Sequence, residues 1–256
     1  MTRLRGVVVL SLAAALSTGC FDIQQSLTLE RNLSGKAGFG MKIDMEPMVF
    51  FLATMQREMA GKKGAPTPEE LAAARAEFVS SNKKQPTDYE AEKRELASKL
   101  PPGVTLLDGS FTEGDLSFGM NLLFGFDDLA KLAAIEFPKA KGGKGPGGEP
   151  GNPIESPFGG LKIVDEGATV LITGPPQNPA ASGKAQAPPD AEAQKMIGEL
   201  LKGLNVAFRI TAPFEVIQHN AHRKEGNTLV WQYDLKSLEK LKPAELNSSI
   251  KVRYRK

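Results

Sequence analysis

Few side chains in this 256-residue sequence are equipped for covalent or metal chemistry: two histidines, His219 and His222, and one cysteine, Cys20. The histidines stand three apart in Gln218-His-Asn-Ala-His-Arg223. On a helix that spacing could hold a metal ion if a third ligand were supplied. Here Arg223 and Lys224 adjoin the pair, and Glu215 or Glu225 would have to complete the set. The segment reads as a polar loop between strands, and no metal or other cofactor is expected. A lone cysteine can form neither an internal disulfide nor a cysteine-rich metal centre. There is no Gly-x-Ser-x-Gly turn to present a serine nucleophile. The glycines at 142–151 lack the Gly-x-x-x-x-Gly-Lys-[Ser/Thr] spacing of a phosphate loop. Asp127-Asp128 is explained as a helix cap. The chain is therefore expected not to be an enzyme. With 32 Lys+Arg against 30 Asp+Glu, it also lacks the basic excess of a nucleic-acid binder.

The position of Cys20 gives it a use. Arg3 and Arg5 precede an apolar run from Gly6 to Leu16, followed by Ser17-Thr18-Gly19-Cys20. That is the layout of a secretory signal and is too short for a membrane span. Small residues leading directly into the only cysteine resemble the lipobox of bacterial lipoproteins. Ser17 stands where Leu is commonest, with Leu16 one position further back. The resemblance implies cleavage after residue 19 and acylation (diacylglycerol, usually with palmitate or a similar third chain) at Cys20. Two or more acyl chains make a stable anchor, each buried methylene contributing about 0.8 kcal/mol. Removing Arg3 and Arg5 leaves 30 basic and 30 acidic residues, so the positive excess belongs to the signal. Residue 21 is Phe rather than the Asp that holds many lipoproteins on the inner membrane. The expected address is the cell envelope, on the periplasmic face of the outer membrane if the organism is Gram-negative.

The elements that follow must carry any site. Phe21–Glu30 and Gly38–Met45 alternate around an Asn/Ser/Gly turn and predict a β-hairpin. Pro47 opens a helix bearing Met48, Val49, Phe51, Leu52, Met55 and Met59. Thr67-Pro68-Glu69-Glu70 starts a second helix, to about Ser81, and a third runs from about Asp88 to Leu100. These two are charge-rich and read as a surface insertion over about 67–100. Strands are expected at Val104–Leu107, Gly114–Gly125, Leu161–Val164, Ala168–Thr173, Asn205–Thr211, Phe214–Ile217, Thr228–Leu235 and Ser249–Tyr254. Short helices are expected after Asp128 and at Leu238–Leu241, and a longer one from Asp190 to Gly203. Of the 53 residues 138–190, 21 are Gly or Pro, a density that defeats core packing. Disordered loops are expected at about 139–156 and about 177–189.

Three stretches carry a more specific pattern. The first is the hairpin Ser26–Lys42 followed directly by a helix. The second is Gly114-Asp-Leu-Ser-Phe-Gly119 leading to Phe126-Asp-Asp-Leu129. The third is Phe208-Arg-Ile-Thr-Ala-Pro-Phe-Glu-Val-Ile217, then Asn220, then Gly226-Asn-Thr-Leu-Val-Trp231 and Asp234-Leu235. Together they resemble LppM-type lipoprotein domains. The resemblance implies one α+β domain over residues 20–256, with a curled antiparallel sheet packed against helices and an apolar groove for a lipid or other amphiphile. It brings no catalytic residues. Many such domains are followed by a C-terminal membrane helix, which is not expected after Arg253-Tyr-Arg-Lys256.

Met41, Met45, Met48, Met55 and Met59 place five of the eight methionines within 19 residues. Flexible thioethers suit surfaces that adapt to varied apolar partners; equally, they can pack the hairpin on its helix. The candidate groove lining is Met41, Met45, Met48, Phe51, Leu52 and Met55. The leading expectation is a lipid-anchored, non-enzymatic envelope protein that binds an apolar or amphiphilic ligand near the membrane. The alternative is an interaction or scaffolding module with an envelope protein as partner, and an envelope hydrolase ranks third.

Overall fold

The computed structural model describes residues 21–81, 88–135, 158–175, 203–240 and 248–256. Alternation drives the first hairpin. In β1 (Phe21–Leu29), Gln25, Leu27 and Leu29 turn inward and are buried, while Gln24, Ser26 and Thr28 are turned outward. It pairs antiparallel with β2 (Gly35–Asp44), from Phe21 opposite Ile43 to Leu29 opposite Gly35. Two helices follow: α1 (Glu46–Met59), with Pro47 in its first turn, and α2 (Pro68–Ser81). The third, α3 (Tyr89–Ser98), is capped by Asp88, whose carboxylate accepts from the Ala91 N–H. Next come β3 (Val104–Gly114), β4 (Ser117–Phe126) and the short α4 (Leu129–Ala133), capped by Asp128.

β5 (Lys162–Asp165) and β6 (Thr169–Gly174) form a second hairpin, with Gly167 at φ +81° in its turn. The C-terminal third holds β7 (Leu204–Thr211), β8 (Glu215–His219), β9 (Arg223–Glu225), β10 (Thr228–Asp234), α5 (Leu235–Lys240) and β11 (Ile250–Arg255). The expected loops at 139–156 and 177–189 and the expected helix at 190–203 lie wholly or almost wholly outside the described residues, as do Cys20 and the signal.

The strands form two sheets. One has the order β3-β4-β2-β1-β7-β10-β9 and the other β5-β6-β11-β8. Neither closes into a barrel, and the whole is a single α+β domain. The chain leaves the first sheet after β7, enters the second as β8, and returns as β9. Their inner faces share one core. Leu27, Phe39, Phe124, Phe208, Trp231 and Tyr233 come from the first sheet, and Val170, Ile172, Val252 and Tyr254 from the second. Aromatic contacts run through it: Phe208 on Trp231 at 5.9 Å and Phe214 on Tyr254 at 6.2 Å.

One strand junction departs from the expected antiparallel pattern. β1 and β7 run parallel, Phe21 beside Leu204 and Thr28 beside Thr211. Two residues adjacent in the sheet are thus over 180 apart in the chain, as in the Asn205 Nδ2 to Asp22 Oδ1 hydrogen bond of 3.0 Å. β3 is also longer than the predicted Val104–Leu107. A bulge between Leu106 and Asp108 carries pairing through to Gly114.

Candidate functional site

The histidine pair is committed to structure. The His219 Nδ1 accepts from the Ala221 N–H at 3.1 Å. The His222 Nδ1 lies 3.1 Å from the Gln232 N–H and 2.8 Å from its carbonyl, and the ring stands edge-on to Tyr233 at 5.0 Å. No cluster of three metal-ligating side chains exists among the described residues. Between the histidines, Asn220 joins the two sheets. Its Oδ1 accepts from Trp231 Nε1 at 3.2 Å and from the Lys251 N–H at 2.9 Å, while its Nδ2 donates to the Ser249 carbonyl at 2.7 Å. The loop is a fastener between β10 and β11.

The outer face of the first sheet is polar. Arg223 donates to Gln232 (2.7 Å), Gln232 to Asn205 (3.1 Å) and Asn205 to Asp22, a chain across four strands. Next to it, Gly38 and Gly40 leave the outer face of β2 bare. A cleft of about 260 Å³ opens there, walled by Gln24, Ser26, Asp108, Asn121 and Arg209. Arg209 is already held by Gln24 Oε1 at 2.5 Å, so the cleft offers a paired guanidinium rather than a free one. The sequence gives no hint of this convergence, because its walls come from β1, β3, β4 and β7.

The candidate groove residues fall in three places. Met41, on the inner face of β2, packs against the main core. Met45 packs against a small separate cluster of Val49, Ala53, Ala74 and Leu116. Met48, Phe51, Leu52 and Met55 lie on α1, outside both clusters. At 100° per residue, Val49 and Ala53 point to α2, while Met48, Phe51, Leu52, Met55 and Met59 form a stripe about 100° wide on another side. Met59 is 84% exposed and Met55 38%. Phe50 is also exposed, on the opposite flank. The i, i+3, i+4, i+7, i+11 spacing of that stripe is legible in the sequence; that Met48, Phe51 and Leu52 are half-buried while Met55 and Met59 are exposed is not.

α1 is fixed at both ends. The Met45 N–H donates to the Leu116 carbonyl at 2.8 Å, seating the helix start on the β3–β4 turn. At the other end Glu70 gathers α1 and α2. Its Oε2 accepts from the Thr67 N–H at 2.9 Å and from Arg57 at 2.6 Å, and its Oε1 from Lys62 at 3.1 Å. The Glu70 N–H returns to Thr67 Oγ1 at 3.3 Å, completing a capping box. These donors hold the Glu70 carboxyl down at about 2, the Thr67 backbone N–H contributing most, then Lys62 and Arg57.

A scan against family models returns no match, and a search of curated proteins returns none either. Among solved structures, the chain is similar to the NMR structure of the Mycobacterium tuberculosis LppM folded domain. The TM-score is 0.43 at 10% identity, over 93% of this chain and 90% of that one.

Proposed function

We propose that this chain is a lipid-anchored, non-enzymatic protein of the cell envelope that engages an apolar or amphiphilic partner at the membrane surface. One observation carries the reading. Cys20, the sole cysteine, directly precedes Phe21, where β1 begins, and Phe21 is in register with Ile43, three residues before α1. The expected attachment point and the start of α1, whose apolar stripe exposes Met55 and Met59, therefore belong to the same end of the first sheet, with no linker between the expected lipid and the fold. The engagement of both histidines in backbone contacts supports a binding role over a hydrolytic one. Phe at position 21 supports the outer membrane as the destination in a two-membrane envelope.

Intact-mass analysis of the full chain expressed in a bacterial host tests the proposal. The membrane-extracted protein should lack residues 1–19 and carry an acyl-modified Cys20. The Cys20→Ala variant should accumulate uncleaved. A native protein found in the soluble fraction with a free thiol at Cys20 would refute it.

A further inference from the structure

We propose that α1 lies in the interfacial plane of the bilayer that holds the anchor, with Met48, Phe51, Leu52, Met55 and Met59 turned into the acyl region. The inference rests on the anchored reading above and names the partner of the apolar stripe.

The stripe leaves Met55 and Met59 exposed and Met48, Phe51 and Leu52 half-buried. Its side chains belong to neither hydrophobic cluster, while the opposite side of α1 is committed to Ala74 of α2 and to Leu116. From Met48 to Met59 it runs about 16 Å at 1.5 Å per residue. Of the seven exposed large apolar side chains in the described residues, Met55 and Met59 lie on the stripe and Phe21 at the first residue of β1, while Phe50 lies on the opposite flank of α1. A monomer rarely leaves such side chains gathered without use.

The anchor selects the bilayer over other occupants. Cys20 is one residue from Phe21, and the β1–β2 register places Phe21 beside Ile43, just before the α1 start. An acylated Cys20 would hold the stripe within a helix length of the headgroups at all times. Tethering of this kind turns even a weak contact into a saturated one, and a single extra apolar signal adds to the acyl chains. Charge points to the same occupant. α1 carries Glu46, Arg57 and Glu58, and its C-terminal flank adds Lys62 and Lys63. Acids and bases nearly balance, so burial of the stripe drives the contact and no anionic headgroup is required.

The test uses the mature acylated protein in phosphatidylcholine vesicles. With Cys20 acylated, Met55→Cys introduces a unique thiol for a bimane label, and Met59→Cys supplies a second, still more exposed position. Lys224→Cys, on β9 at the far edge and far end of the sheet, is the control. Bimane at 55 and 59 should be quenched severalfold by brominated acyl chains and shielded from aqueous iodide; bimane at 224 should show neither. Labels at 55 and 59 that remain iodide-accessible in vesicle-bound protein would overturn the inference and leave the anchor intact. Labels shielded from iodide yet untouched by brominated lipid would assign the stripe to a protein or a second copy, and also overturn it. Protein that does not sediment with vesicles at all would remove the anchored reading and this inference with it.

Discussion

Replacing Asn220 with Ala removes the side chain that fastens the two sheets, and the structure sets the cost. Three hydrogen bonds are lost, to Trp231 Nε1, the Lys251 N–H and the Ser249 carbonyl. Asn220 is exposed, so water can serve the Lys251 and Ser249 backbone groups once the side chain is gone. Trp231 is 1% exposed, and its indole N–H loses its protein partner. An ordinary net hydrogen bond contributes about 1 kcal/mol, and a stranded buried donor costs about 1–3. With partial rescue by water, Asn220→Ala should cost about 1–2 kcal/mol, or roughly 3–6 °C in Tm for a domain of this size. Asn220→Asp keeps an acceptor for Trp231 and should cost less. Trp231 is the only tryptophan, so its emission in urea reports unfolding at this junction. The decisive measurement is a double-mutant cycle with Trp231→Phe, followed by circular dichroism. In the Phe background Asn220→Ala should lose about 1 kcal/mol of its effect. A coupling indistinguishable from zero would refute the fastener argument.

Glu70 supplies a pH prediction. Its folded carboxyl sits at about 2 against an ordinary 4.5, so its contribution is present above about 4.5 and is lost as pH falls toward 2. The NMR titration of the Glu70 carboxyl should have its midpoint near 2, and Glu70→Gln should loosen α1 from α2 at neutral pH; an ordinary midpoint would contradict the capping-box geometry. Tyr254 is buried with its hydroxyl unpartnered among the described residues. Burial raises its pKa, so the absorbance of its tyrosinate should appear only on alkaline unfolding. Tyr254→Phe should leave stability unchanged or raise it by about 1 kcal/mol, measured by urea unfolding; a loss of that size would reveal a missing partner. Gly103 has φ +90°, and a Cβ there would collide with the Asp127 carboxylate. Gly103→Ala should therefore cost 1 kcal/mol or more, roughly 2–4 °C in Tm, and an unchanged melting curve would count against the turn.

The first hairpin is legible because one face of each strand is apolar and the other polar, which fixes register as well as existence. The three long helices announce themselves by Pro47, Thr67-Pro68 and Asp88. β3 is harder. Asp108-Gly109 looks like a turn, yet the bulge absorbs it and returns Phe111 to the inner face, stacked on Tyr89 at 5.0 Å. β9 is three exposed polar residues and carries no apolar signal. The parallel partner of β1 has no local signature, since pairing across the whole chain is decided by the shared core. For the candidate site, periodicity marks the α1 stripe, whereas Met41 and Met45 have the same composition but face different clusters. Only the packing of α1 on Ala74 and Leu116 separates them.

The position of β1 has a consequence for when the first sheet can be completed. The first strand behind the expected signal is the middle strand of the seven-stranded sheet, and its second neighbour, β7, is encoded more than 180 residues later. At about 5–20 residues per second, synthesis of that stretch takes roughly 10–40 s. During that time β1 has β2 on one side and an unfilled edge on the other. The first sheet cannot be completed until β7 has been made, so a chain exported as proposed above would remain threadable through most of its synthesis. The same open edge is a site for mispairing with other chains. Early attachment of the N-terminus to a bilayer would hold that edge apart from its neighbours until β7 arrives to cover it.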